Sequence, residues 1–202
     1  MKFTGSALAA LIVVATTVGD GADRTGRSLE NPPPRSRLGT RLPDPPNAPV
    51  HVGDRAPDFN WVGVDNRTRR LRDILDQAHA LIVFAPSDEE LRDLEDERET
   101  LALMGVVPVA VVEARPRSAV VRAKRAGVHF LVVGDPVRVI GSQFNLVDPE
   151  TNRIQSAWFA VDRRATVRGT GASLKPAQGW ARIAASALAI PAPDVPIPVR
   201  SR

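Results

Sequence analysis

The stretch that most constrains this chain is Leu81-Ile82-Val83-Phe84-Ala85-Pro86, followed at once by Ser87-Asp88-Glu89-Glu90. An unbroken apolar run of this length suits a strand covered on both faces, because a half-exposed strand would alternate apolar and polar positions. Proline stops the strand, and Ser87 with Glu90 has the spacing of a capping box, in which each residue satisfies the other's backbone N–H. A buried strand feeding a helix is the repeating unit of an α/β sheet, and its exit is where such folds place a reactive group. Here that exit holds no cysteine, no histidine and no glycine-rich loop.

The rest of the chain extends the same alternation. Phe59–Val64 reads as a strand ended by the turn signal Asp65-Asn66, and Leu71, Ile74 and Leu75 give a short helical turn. After the central strand, Leu91, Leu94, Leu101 and Met104 recur at helical spacing, and Gly105 closes that helix. Val106–Val112 is a second buried strand, Pro116–Ala126 a helix closed by Gly127, and His129–Val133 a third strand. Gly134-Asp135-Pro136 is a turn, and Val137–Phe144 a short helix. Ala157–Val161 and Thr166–Arg168 form a hairpin across Asp162–Ala165, and Ala177–Ile190 is the last helix. Helices between strands with an antiparallel hairpin near the end predict a mixed central β-sheet flanked by helices, an α/β domain of thioredoxin-like arrangement.

Outside residues 51–190 the composition changes. Lys2 precedes the apolar run Ala7–Val18, which is too short for a bilayer, since a span takes about 20 residues. Residues 1–19 therefore read as a secretory signal and imply an exported, periplasmic or extracellular protein, with a non-cleaved anchor or a cytoplasmic chain as the alternatives. No transmembrane span is expected. Residues 20–50, with Pro32-Pro33-Pro34 and Pro45-Pro46 among arginines, read as a disordered linker. Residues 191–202 read as an extended proline-rich tail.

Charge excludes one class of function. The formal net charge of +4 is all in the flanks, because residues 51–199 hold 19 basic and 19 acidic groups. A nucleic-acid binder concentrates positive charge on its folded face, so no nucleic acid is expected. The densest basic cluster in the domain, Arg67-Thr68-Arg69-Arg70, reads as a solvated turn. His51, His79 and His129 lack ligand spacing and no cysteine exists, so neither a metal nor another cofactor is expected. The acids Asp88 to Glu99 read as charge that offsets a helix dipole.

The segment Val52-Gly53-Asp54-Arg55-Ala56-Pro57-Asp58-Phe59 resembles the G-D-x-A-P-D-F opening of peroxiredoxins and related redoxin domains, the alkyl hydroperoxide reductase and thiol-specific antioxidant group. Leu71–Leu75, Leu81–Pro86, Gly134–Pro136 and Trp158–Asp162 are similar to later family segments, in the family's order. The resemblance implies the peroxiredoxin-type fold and association of two copies through sheet edges or helix faces, or an unknown protein partner. The family carries P-x-x-x-T-x-x-C after its central strand. Counted from Pro86, Glu90 stands at the threonine and Asp93 at the cysteine. Counted back from Gly105, the segment is several residues short and the cysteine falls in the gap. The family's second arginine is replaced by Ser156, with Arg153 near it.

Pro86, Ser87, Glu90 and Asp93 are therefore the region of a vestigial site, and no catalytic residue is expected in it. A carboxylate at Asp93 is a poor nucleophile towards peroxide, and thiol peroxidase activity requires a thiolate. The resemblance thus implies a pseudoenzyme serving as a non-catalytic binding or scaffold domain. The alternatives are a relative of the redoxin-like C-terminal domain of flavin-dependent aromatic hydroxylases, or a peroxiredoxin homologue that is an antioxidant by similarity only.

Overall fold

A computed structural model describes residues 50–63, 65–172, 174 and 176–191. The expected leader, nearly all of the linker and the tail lie outside the described residues. Val64, at the end of the first expected strand, and Ser173, in the stretch after the hairpin, do so too.

Five strands form one mixed sheet in the order β5-β4-β3-β6-β7. They are β3 (His79–Phe84), β4 (Val106–Val112), β5 (Leu131–Gly134), β6 (Ala157–Val161) and β7 (Val167–Gly171). β3 pairs in parallel with β4 and antiparallel with β6, which makes it the centre of the sheet. Its residues alternate between two cores, as the pleat requires. Ala80, Ile82 and Phe84 enter one cluster with Phe59, Trp61, Leu71, Leu75, Ile140 and Phe144. Leu81 and Val83 enter another with Leu94, Leu101, Met104 and Trp180. That double burial explains the unbroken apolar run.

Among the described residues six helices accompany the sheet: α1 (Leu71–Leu75), α2 (Asp88–Asp96), α3 (Arg98–Leu103), α4 (Pro116–Ala126), α5 (Val139–Gln143) and α6 (Trp180–Leu188). Phe84, Phe144 and Phe159 pack as an aromatic group beneath the end of β3, with Phe84 and Phe144 centroids 4.9 Å apart. The opening segment lies along β7: Gly53 N–H donates to Val167 O, and Ala56 N–H to Ala165 O, both at 2.8 Å.

Four expectations need correcting. Thr68–Arg70 is not a turn but a strand, β2, paired antiparallel with β1 (Asn60–Val62). Its residues are exposed, so the cluster is solvated as expected; cross-strand pairing with Trp61 and its neighbours decided the conformation. The helix expected from Ser87 to Gly105 is two helices broken at Glu97. Arg98 would stand four residues past buried Leu94 on the inward face of a continuous helix; at the break it pairs with Glu95 at 2.9 Å instead. Glu97 itself turns to α6, accepting from Trp180 N–H at 3.0 Å and Ala181 N–H at 2.8 Å. α6 begins at Trp180 rather than Ala177 because Glu97 supplies that cap and Gly179 has none of its own. β5 begins at Leu131 because Glu95 holds His129, by its amide at 2.9 Å and its ring Nδ1 at 3.0 Å.

Candidate functional site

The exit of β3 is built from four chain segments. Ala85 leaves the strand with φ +48, a left-handed conformation that costs a non-glycine residue about 1–2 kcal/mol. Its N–H still donates to Val111 O at 2.9 Å, so the turn is made without leaving β4. Pro86 follows, buried, and Ser87 caps α2. Glu90 N–H donates to Ser87 Oγ at 3.2 Å, and Ser87 N–H donates to Glu90 Oε2 at 2.6 Å. The capping box read from the sequence is therefore formed. Asp93 is half-buried on α2 and is not free.

Three arginines close what remains. Arg122, on α4, donates from its outer nitrogen to Pro86 O at 2.6 Å and from Nε to Asp88 Oδ1 at 2.6 Å. Glu113, just past β4, accepts from Ile154 N–H at 2.5 Å and from Arg153 Nε at 3.2 Å, with Arg138 3.8 Å away. Arg153 was expected near the position of the family's second arginine; the structure commits it to Glu113. Ser156 Oγ lies 3.4 Å from Ala85 O, tying the strand before β6 to the same turn.

Chemically, this arrangement offers little. A hydroxyl becomes a nucleophile when a base stands against it, and Ser87 Oγ faces an N–H donor. The cavity beside the exit, about 510 Å3, is walled by Asp88, Arg117, Ser118, Arg122 and Arg125 among others, so it is basic, and its carboxylate, Asp88, is bound to Arg122. Among the described residues no group of three or more His, Asp or Glu could hold a metal ion. None of their helices is long and apolar enough to cross a membrane.

The sequence did not single out Arg122. Ala119, Ala123 and Ala126 are the buried stripe of α4, and Arg122 borders it, a placement from which an arginine can reach inward. Trp61 and Trp180 are core. The glycines of β7 make room for Trp158: a Cβ at Gly171 would stand 2.7 Å from its Nε1. His129 is exposed and bound to Glu95. Partial burial pushes Glu95 up, but the His129 amide and ring, together with Arg98, outweigh it and hold its pKa below the usual 4.5.

A five-stranded mixed sheet whose parallel centre empties into a capped helix defines a thioredoxin-like domain of the peroxiredoxin type. The model of the AhpC/TSA family matches residues 52–170, and the chain belongs to that family. Solved structures agree on the fold. Peroxidoxin BcpB from Mycobacterium tuberculosis superposes with a TM-score of 0.58 at 18% identity, over 69% of this chain and 95% of that one. The mitochondrial 2-Cys peroxiredoxin of Plasmodium falciparum gives 0.57 at 15% identity, over 69% and 93%. A protein assigned as the thiol:disulfide interchange protein DsbE of Chlorobium tepidum gives 0.57 at 20% identity, over 69% and 99%. No curated protein matches the chain. The chain contains no cysteine at all.

Proposed function

We propose that this is a non-catalytic member of its family, a binding or scaffold domain that keeps the peroxiredoxin frame without its peroxidase chemistry. The observation that carries the reading is the occupancy of the β3 exit. At the strand exit that leads to a family enzyme's thiolate, this chain has a reciprocal cap between Ser87 and Glu90, with Arg122 spent on Pro86 O and Asp88. Thiol chemistry needs a sulfur nucleophile, and the sequence holds none. The apolar segment near the N-terminus and the proline-rich stretch after it support export with the domain on a tether. The partner is a second copy of the chain or another protein.

The test is hydroperoxide consumption by the purified full chain with a dithiol reductant and a metal chelator. The expected result is consumption no faster than the buffer. Turnover at an enzymatic rate would remove the reading. Light scattering across micromolar concentrations separately tests self-association, and a monomeric mass throughout leaves only the other-protein partner.

A further inference from the structure

At the opposite end of the sheet from the β3 exit lies a cavity of about 460 Å3. It is lined by His79 at the start of β3, by Asp162, Arg163, Arg164 and Arg168 around the β6–β7 turn, and by the last residues of α6. We propose that this cavity binds the phosphate group of a small phosphate monoester, held by Arg163, Arg164 and Arg168 and by the ring of His79. The proposal does not depend on whether the other end of the sheet has lost its chemistry.

Two independent features meet here. The first is an unsatisfied group: His79 Nδ1 is buried without a hydrogen-bond partner, the one such side-chain atom among the described residues. Buried polar atoms are ordinarily paired, and an exception in a residue that lines a cavity calls for a ligand, a water or an ion within reach of it. The second is spare positive charge. Asp162 is already engaged, accepting from Arg164 N–H and Thr166 N–H at 2.9 Å and from Arg168 Nε at 2.6 Å. Arg163 reaches only a carbonyl, Asp76 O, at 3.1 Å. Among the described residues the Arg164 guanidinium has no ion pair. Each guanidinium carries five N–H donors, so most donors in the cavity remain to be used.

Charge selects the ligand class. Three arginines against one carboxylate leave two positive charges, since burial holds His79 below its usual 6.5, and the opposing effects of Asp162 and Arg163 leave it there. A phosphate monoester near neutral pH carries close to two negative charges, whereas a carboxylate carries one. The arginine fork suits phosphate oxygens. The opposite wall is the carboxyl end of α6, with Ala187, Leu188 and Ala189. Its partial negative charge repels an anion but accepts from hydroxyls. The phosphate therefore belongs on the arginine side, with a hydroxyl-bearing body toward α6.

Calorimetric titration of the full chain in low-salt, phosphate-free buffer tests this, with glycerol phosphate, inorganic phosphate and acetate as probes. Glycerol phosphate is expected to bind saturably, one per chain, more tightly than inorganic phosphate, and acetate not at all. Its addition should move the His79 ring resonances in an NMR spectrum. Arg164→Ala, at an exposed turn position, should weaken binding about tenfold, while Arg117→Ala on α4 leaves it unchanged. Absence of saturable binding overturns the proposal, as does equal affinity in Arg164→Ala or an equal response to acetate. Equal affinity for the two phosphates overturns the assignment to an ester.

Discussion

The two ends of β3 make opposite use of polar groups. At its carboxyl end, the place where α/β folds hold ligands, the polar groups of the turn itself have internal partners: Ser87 with Glu90, Arg122 with Pro86 and Asp88, Glu113 with Arg153 and Ile154. At its amino end, His79 Nδ1 is buried with no partner and Arg164 has no ion pair among the described residues. On the reading proposed above, a family fold need not keep its reactive end reactive. Once the nucleophile is gone, backbone caps and ion pairs can consolidate the same turn as structure, and polar groups left without partners elsewhere become the better guide to ligand binding.

The contrast can be broken by substitution. The largest effect is expected beneath the closed end, where Phe144 packs against Phe84 with centroids 4.9 Å apart. Phe144→Ala should cost about 3–5 kcal/mol in denaturant unfolding, because a fully buried ring leaves a cavity. Glu113→Ala should cost about 2 kcal/mol, since it strands the Ile154 N–H and removes the acceptor of Arg153. His79→Leu should act in the other direction and stabilise by about 1 kcal/mol, because it deletes a buried nitrogen that pairs with nothing. Destabilisation by His79→Leu of the size expected for Glu113→Ala would erase the distinction between the two ends.

The smallest effect is on pH dependence. Burial lowers His79 below 6.5, so its folded state favours the neutral ring. Stability from this source is complete above pH 6.5 and is lost as pH falls through the lower folded pKa. Asp162 is also lowered, from 3.8: burial pushes it up, but the Thr166 amide, Arg168 and the Arg164 amide outweigh that. Its contribution is present above 3.8 and is lost on further acidification. Denaturant midpoints from pH 7 downward should fall in two legs, and His79→Leu should flatten the first alone.

Much of the frame was legible because it rests on local signals. Leu81–Phe84 reads as a doubly covered strand and is one, and Gly105 and Gly127 end their helices at φ +67 and +73 as helix-closing glycines do. The Ser87–Glu90 cap is likewise a matter of spacing three residues apart. What escaped the sequence acts over distance. Arg122 lies 36 residues from Pro86, and Glu97 lies 83 residues from Trp180. No periodicity announces that an acid at a helix break will cap another helix, or that exposed Thr68–Arg70 will pair as a strand. The phosphate cavity was illegible for the same reason, since His79, Arg164 and Leu188 meet only once the sheet is assembled.

The claim on which the rest depends is that the β3 exit is a closed structural joint. Amide hydrogen exchange of the full chain tests it directly at Ser87 and Glu90, whose N–H groups donate within the capping box. The account predicts that both exchange as slowly as Leu91 N–H, which is bonded within the first turn of the same helix. Exchange at Ser87 and Glu90 approaching the rate of an unprotected loop, while Leu91 stays protected, would show an open exit and contradict it.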